Sequence, residues 1–279
     1  MSIKIVTDST CDLPEEVIAK HDITIIPMYI NIGSEGFLDG VEITREDFYN
    51  GLPNYDPLPT TAVPSVESFR QTYERLADEG ASEILSIHVS ASLSAVAEVA
   101  STAAKEFTRI PVTVYDAGQI SLGTGLSVLA AAKAATHNLT VQEILPILED
   151  QSSRTYVIAY IDTLEFLRRS GRMNRFLANF GTILQIKPIL KMHAGEPDAE
   201  RIRTKDKAIK RMIQFVEDHL PLEHLSIVHT HDPEGAEKLR EVSEHLFPED
   251  STSYSVDVTP VLGTHLGPCT VGFTFIEKE

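Results

Sequence analysis

Short apolar runs alternate, from the first residues onward, with longer stretches whose apolar positions recur three and four apart. IKIVT (3–7) has the length and Ile/Val content of a strand, and Asp8, Ser9 and Thr10 close it. Pro14 suits the first turn of a helix ending near Lys20. ITIIPMYINI (23–32) predicts a second strand, in which Pro27 marks an edge or a bulge because it donates no ladder hydrogen bond. Thr44 is placed to cap a short helix, REDFYNGL, and the three prolines of NYDPLPTTAVPS (54–65) predict a loop. Ser65 then caps VESFRQTYERLADEG, where Val66, Phe69, Tyr73 and Leu76 share one face and Gly80 ends the helix.

EILSI reads as a buried strand and AVAEVASTAAKEF as a helix packed closely on a sheet. Between them stand Ser90, Ser92 and Ser94, at a strand's carboxyl end and a helix's amino end, where free N–H groups and the helix dipole favour an anion. Two readings stay open: an oxyanion seat, or a serine that only caps the helix. Next, PVTVYDAGQISLGTGLS predicts a strand over 112–115 and a long helix to about His137, and Thr140 caps VQEILPILEDQ, interrupted at Pro146.

This alternation implies an α/β fold whose mainly parallel first sheet is covered by helices on both sides, with ligands bound beyond the strands' carboxyl ends. Asp8, Ser9, Ser90, Ser92, Ser94 and Asp116 all fall at that edge. A second α/β unit is expected from YVIAYI (156–161) onward, giving domains over 1–155 and 156–279 that meet broadly. It holds a helix broken at Gly171, the extended apolar segment ILQIKPILKM (183–192), a hairpin-like HAGEPDAERIRT, the helix DKAIKRMIQFVEDHL, LSIVHT, a helix over 233–246, SYSVDV and CTVGFTF.

Composition narrows the partners. The 24 Lys and Arg against 41 Asp and Glu give a formal charge of −17, which repels nucleic-acid backbones and anionic membrane surfaces. The two cysteines, Cys11 and Cys269, form neither a disulfide framework nor a metal-like spacing and fit a reducing cytoplasm. No run approaches bilayer-spanning length, so no stable membrane insertion is expected.

Individual motifs are bland on their own. Gly123 and Gly125 make a GxG without the third glycine of a dinucleotide site, which favours helix packing, and the chain has no GxxxxGK[ST] phosphate loop. His229 and His231 lack a third metal ligand. RRSGR (168–172) suits a solvated helix end or a carboxylate clamp, and THLGPC (264–269) puts His265 in a glycine-proline loop.

Together, TDSTCDLP, PTTAVPS, SASLSAV, YDAGQISLGTGL, LEFLRRSGR, IKPIL with RIRTKDKA, and GTHLGPCTVGF, in this order along the whole chain, resemble the DegV family. The resemblance implies two α/β domains with a long-chain fatty acid in the crevice between them, its carboxylate at the junction and its chain in an apolar tunnel. It implies a binding protein rather than an enzyme, without a cofactor, that in some members presents the carboxyl group to a separate ATP-dependent fatty acid kinase subunit. The family's head-group contacts fall on Thr61, Ser94, Arg172 and His265, with Ser92 and Thr264 beside them as further ligand contacts. Two places depart from the pattern: LSAV stands for LSGT at 93–96, and SGR for GGR at 170–172.

Candidates for the apolar wall are Phe166, Leu167, Phe176, Leu177, Phe180, Ile183, Leu184 and Ile186, which serve a core equally well. Two other readings remain. One is a serine hydrolase acting on an acyl ester through Ser94, His265 and Asp8 or Asp116, although GxSxG is absent. The other is a small-anion-binding protein without an acyl tunnel.

Overall fold

The computed structural model describes residues 2–177 and 187–279. In chain order the first half contains β1 (Ile3–Asp8), α1 (Glu15–Lys20), β2 (Thr24–Ile26), β3 (Tyr29–Ile32), β4 (Glu35–Leu38), α2 (Arg45–Gly51), β5 (Thr60–Ala62), α3 (Val66–Asp78), β6 (Glu83–His88), α4 (Val96–Glu106), β7 (Val112–Asp116), α5 (Leu122–Thr136) and α6 (Val141–Arg154). The second contains β8 (Thr155–Tyr160), α7 (Glu165–Arg169), α8 (Met173–Leu177), β9 (Lys187–His193), β10 (Glu196–Ile202), α9 (Lys205–Glu217), β11 (Leu222–His229), α10 (Pro233–Val242), β12 (Ser255–Asp257), α11 (Pro260–Leu266) and β13 (Val271–Glu277).

Among the described residues these strands form three sheets. The first, in the order β2-β1-β6-β7, is parallel throughout. The second, β10-β9-β8-β13-β11-β12, is antiparallel except for the pair β11 and β12. The third is a small antiparallel sheet, β4-β3-β5.

Helix starts follow local chemistry. Thr44 accepts from the Asp47 N–H at 3.0 Å and Ser65 from the Ser68 N–H at 3.1 Å, while Thr140 and Glu143 form a reciprocal capping box. Phe69, Tyr73 and Leu76 of α3 are buried together with Val6 and Ile84 of the first sheet.

Four local expectations are corrected. The run 23–32 is not one strand: it divides at Pro27 and Met28, so β2 closes the edge of the first sheet and β3 starts the third. Proline's missing N–H suits that switch. The proline-rich loop holds β5, whose Thr60, Thr61 and Ala62 pair with β3. Pro146 does not interrupt α6, which runs continuously through it. His265 lies not in an irregular loop but in the last turn of α11, which starts with Pro260 at its first position and stops at Gly267.

The helix α5 binds the two larger sheets together. Its sequence, LGTGLSVLAAAKAAT, is mainly apolar on all sides and buried from Leu122 to Leu129, and it meets solvent in its last turn at Lys133 and Thr136. It packs on β1 and β6 on one side and on β8 and β13 on the other. A single core therefore runs from Ile5, Leu85 and Ile87 through Leu122, Leu126 and Leu129 to Val228, Val256 and Ile276. Its two glycines serve the close approach anticipated for the GxG: a Cβ on Gly125 would stand 2.3 Å from the Cys11 carbonyl oxygen, and one on Gly123 would stand 2.8 Å from Val157 Cγ2.

Gly125→Ala is expected to destabilise the protein by about 1–3 kcal/mol in a denaturant titration, because overpacking against backbone outweighs the roughly 1 kcal/mol that alanine gains in helix propensity. A variant as stable as the wild type would contradict this packing.

Candidate functional site

A partly open cavity lies where the carboxyl end of the first sheet faces α7, α8 and α11. Its floor comes from Thr10 after β1, Val89, Leu93 and Ser94 after β6, and Ile120 before α5. Met28 and the β5 residues Thr61 and Ala62 form one wall. Leu167, Arg172, Phe176, Val261, Leu262 and His265 close it from the second half. Its water-accessible volume among the described residues is about 70 Å³.

Four predicted head-group residues, Thr61, Ser94, Arg172 and His265, meet there. Thr61 Oγ1 lies 3.1 Å from His265 Nε2, a hydrogen bond between residues 204 positions apart. Burial, with the Arg172 charge nearby, lowers the His265 pKa from 6.5 to about 3, so its ring is neutral at ordinary pH. His265 Nδ1 is buried without a described partner.

Arg172 donates to the Ser170 carbonyl at 2.8 Å and has no ion pair with a described carboxylate. Burial, and then the charge of Arg175, pull its pKa down. Ser94 Oγ accepts weakly from the Val96 N–H at 3.4 Å, which leaves the hydroxyl proton for a ligand. A partly buried guanidinium without a described counter-ion, beside hydroxyls and a neutral imidazole, has the chemistry to hold one small anion.

The serine segment divides its roles. Ser90 and Ser92 bond each other, Oγ to Oγ at 2.9 Å, and Arg175 donates to the Ser92 carbonyl. Of the three serines, Ser94 lines the cavity. The N-cap position of α4 is Ala95, which has no capping side chain, and Ser94 Oγ weakly takes the helix's first N–H, that of Val96. Thr264 also stands outside the lining, since its buried hydroxyl donates to the Pro260 carbonyl at 2.9 Å. Of the apolar wall candidates, Leu167 and Phe176 line the cavity, and Phe166 packs where a Cβ on Gly267 would stand. The Leu177 side chain, Phe180, Ile183, Leu184 and Ile186 lie outside the described residues.

A hydrolytic relay through Ser94 is not assembled. His265 bonds Thr61, Asp116 accepts from the N–H groups of Ala91 and Gly118, and Asp8 accepts from His88 Nδ1 at 2.9 Å. A Ser-His-Asp line does exist at Ser86, His88 and Asp8, but all three are wholly buried and Tyr73 donates to Ser86. No substrate reaches it. Burial alone would raise the Asp8 carboxyl, yet His88 and both donors of Thr10 outweigh it and hold Asp8 below its ordinary range. Asp8 thereby anchors two floor residues, accepting from the Thr10 N–H at 3.1 Å and the Val89 N–H at 3.3 Å.

Sequence reasoning missed Thr10, Met28, Val261 and Leu262 as lining. Thr10 follows a predicted strand end and was within reach of the pattern, whereas Met28 carries no local signal. His229 ends β11 and His231 stacks on Tyr49 at 5.3 Å. No described group of three His, Cys, Asp or Glu side chains has a metal-holding arrangement, and no described helix is long and apolar enough to cross a membrane.

Fold and cavity together define an α/β protein with a cavity between its halves that is polar at one place and apolar elsewhere. Residues 2–278 match the DegV family, and the chain belongs to it. A DegV domain-containing protein of Streptomyces coelicolor is 35% identical over 97% of this chain and 96% of its own. Among solved structures, a DegV family protein from Thermus thermophilus, described by its fatty acid binding, superposes with a TM-score of 0.88 at 31% identity over the whole of both chains. DegV of Bacillus subtilis, described as a fatty acid binding protein, superposes at 0.90 with 28% identity, again over both whole chains.

The depressed His265 pKa has a signed consequence. Its stabilising contribution is complete above 6.5 and is lost as pH falls toward about 3. His265→Gln should therefore lose less stability than the wild type between about pH 6.5 and about pH 4 in denaturant titrations. Equal losses in the two proteins would contradict a buried neutral ring.

Proposed function

We propose that this protein binds a long-chain fatty acid between its two halves and presents the carboxylate to a separate ATP-using kinase subunit. The observation that carries the reading is one cavity with two chemistries: Arg172, His265, Thr61 and Ser94 donate at one place, and Met28, Val89, Leu93, Ile120, Leu167 and Phe176 supply apolar wall. The fatty acid binding described for the Thermus and Bacillus relatives supports it. Each methylene buried adds roughly 0.8 kcal/mol, so the tail supplies most of the affinity and the head-group donors set orientation. The absence of a GxxxxGK[ST] loop from the sequence supports a division of labour in which the phosphoryl donor binds elsewhere.

The cavity volume favours a second reading. About 70 Å³ holds on the order of five waters, enough for a head group and the first methylenes. A long tail must extend past the walls that the described residues enclose. A small-anion receptor needs no such extension. Solvent extraction and mass spectrometry of the purified protein separate the two: a long-chain fatty acid is expected, and its absence together with no binding of added palmitate or oleate would leave the small anion.

For presentation, His265→Ala and Ser94→Ala should keep bound lipid, since one neutral hydrogen bond is worth only about 0.5–1.5 kcal/mol. Both should lose most kinase-dependent phosphorylation, because a shift of about 1 Å can slow a reaction on the order of a hundredfold. Arg172→Ala should weaken both. Lipid per protein and phosphorylation rate are the paired measurements; empty pockets in the first two variants, or normal rates in both, would overturn the presentation role.

A further inference from the structure

The helix that carries His265 is held at its other end by two buried acids from the first half of the chain. Thr259, the N-cap residue of α11, does not cap its own helix. Its N–H donates to Asp12 Oδ1 at 2.8 Å, and its hydroxyl donates to Asp39 Oδ2. Asp12 is wholly buried with a left-handed backbone at φ 51°, and Ser121 Oγ donates to its other oxygen at 2.6 Å. The Arg45 guanidinium stands 3.4 Å from Asp12 and also acts on Asp39.

We propose that Asp12 and Asp39 retain one proton between them and act through Thr259 as positioning residues for α11, so that the grip on a head group at His265 depends on that proton. The proposal rests on the fatty-acid reading of the cavity for its functional consequence, but not for its geometry.

Hydrogen bonding permits the shared proton. The Thr259 N–H can only donate, so Asp12 Oδ1 stays an acceptor. The hydroxyls of Ser121 and Thr259 can turn to accept while Ser9, which also donates to Asp39, keeps its bond, so either carboxyl can carry a proton without orphaning a partner. Charge then decides. From α2 the pair faces Arg45 and the neutral phenol of Tyr49; from β1 and the turn after it come Asp8, paired with His88, and the Cys11 thiol. Glu15 and Glu46 border the adjoining cleft. The neighbouring residues of α5 and α11, Ser121 and Thr259, are uncharged.

With both carboxyls ionised, two charges in a dry site face one guanidinium. Burial, opposed by Arg45, raises Asp12 from 3.8 to about 7, and burial raises Asp39 as well. A raised acid favours the folded arrangement at low pH, and that contribution is lost as pH climbs through about 7. The strain falls on α11, which transmits it: Tyr49 donates to the Val258 carbonyl at 2.9 Å and packs where a Cβ on Gly263 would stand, and His265 sits in the last turn.

The test compares wild type, Asp12→Asn and Asp39→Asn by release of radiolabelled oleate and by amide hydrogen exchange of α11, corrected for intrinsic pH dependence. Wild-type release should quicken on the order of tenfold between about pH 6 and about pH 8.5, with parallel loss of α11 protection, and Asp12→Asn should flatten both profiles. A merely structural role would shift protection by the same amount at every pH. Where Asp12→Asn fails to fold, Asp39→Asn carries the comparison. If oleate never binds but α11 protection follows pH and the substitution abolishes that, the fatty-acid reading fails and the positioning stands. If α11 protection is flat in the wild type, or keeps its slope in the variants, the positioning is overturned whatever oleate does.

Discussion

Everything in this fold depends on burying α5 on all sides. Up to Ala132 this helix of mainly Leu, Val, Ala and Gly offers water no polar face, and only its last turn, at Lys133 and Thr136, is exposed, so it is stable only with a sheet on either side. Gly125 lets the Cys11 backbone approach it and Gly123 lets Val157 do so. Once both sheets are fixed against this rod, the loops after β1 and β6 are brought opposite α7 and α11. The cavity is the space left where those edges cannot interdigitate.

The head-group site is consequently a property of the junction. Thr61 and His265 are 204 positions apart, Ser92 and Arg175 are 83 apart, and Asp12 and Thr259 are 247 apart. Thr61 with His265 and Asp12 with Thr259 satisfy polar groups that closure of the junction removes from water, and a buried polar group left unpaired costs about 1–3 kcal/mol, whereas the Ser92–Arg175 bond lies at the exposed rim. The same dryness that keeps the His265 imidazole neutral strengthens the pull of Arg172 on an incoming anion.

Much of this was legible in the sequence because short-range chemistry dictates it. Thr44, Ser65 and Thr140 cap the helices expected of them, and the alternation of strands and helices through β7 announces a parallel sheet. The residues that line the cavity from the collinear motifs, Thr61, Ser94, Arg172 and His265, were nameable only through the family resemblance those motifs carry, since each is bland on its own. What stayed hidden depends on distant partners. Nothing local says that the chain changes sheets at Pro27, or that a proline-flanked Thr60–Ala62 finds β3. The seven residues of α11 are too few for a period, and their signals, Pro260 and Gly267, look equally like loop punctuation. Ser90 and Ser92 sit where an anion seat predicts them, but they bond each other.

The strand β13 lies between β8 and β11, at the middle of the second sheet. Its neighbours appear earlier in the chain and cannot pair with each other across the gap it fills. During synthesis β8 and β11 must therefore wait, each with an open edge, until Val271–Glu277 has emerged. The nascent chain thus carries a templating hazard from the emergence of β8 onward, and one insertion, that of an almost wholly apolar strand, removes two exposed edges at once.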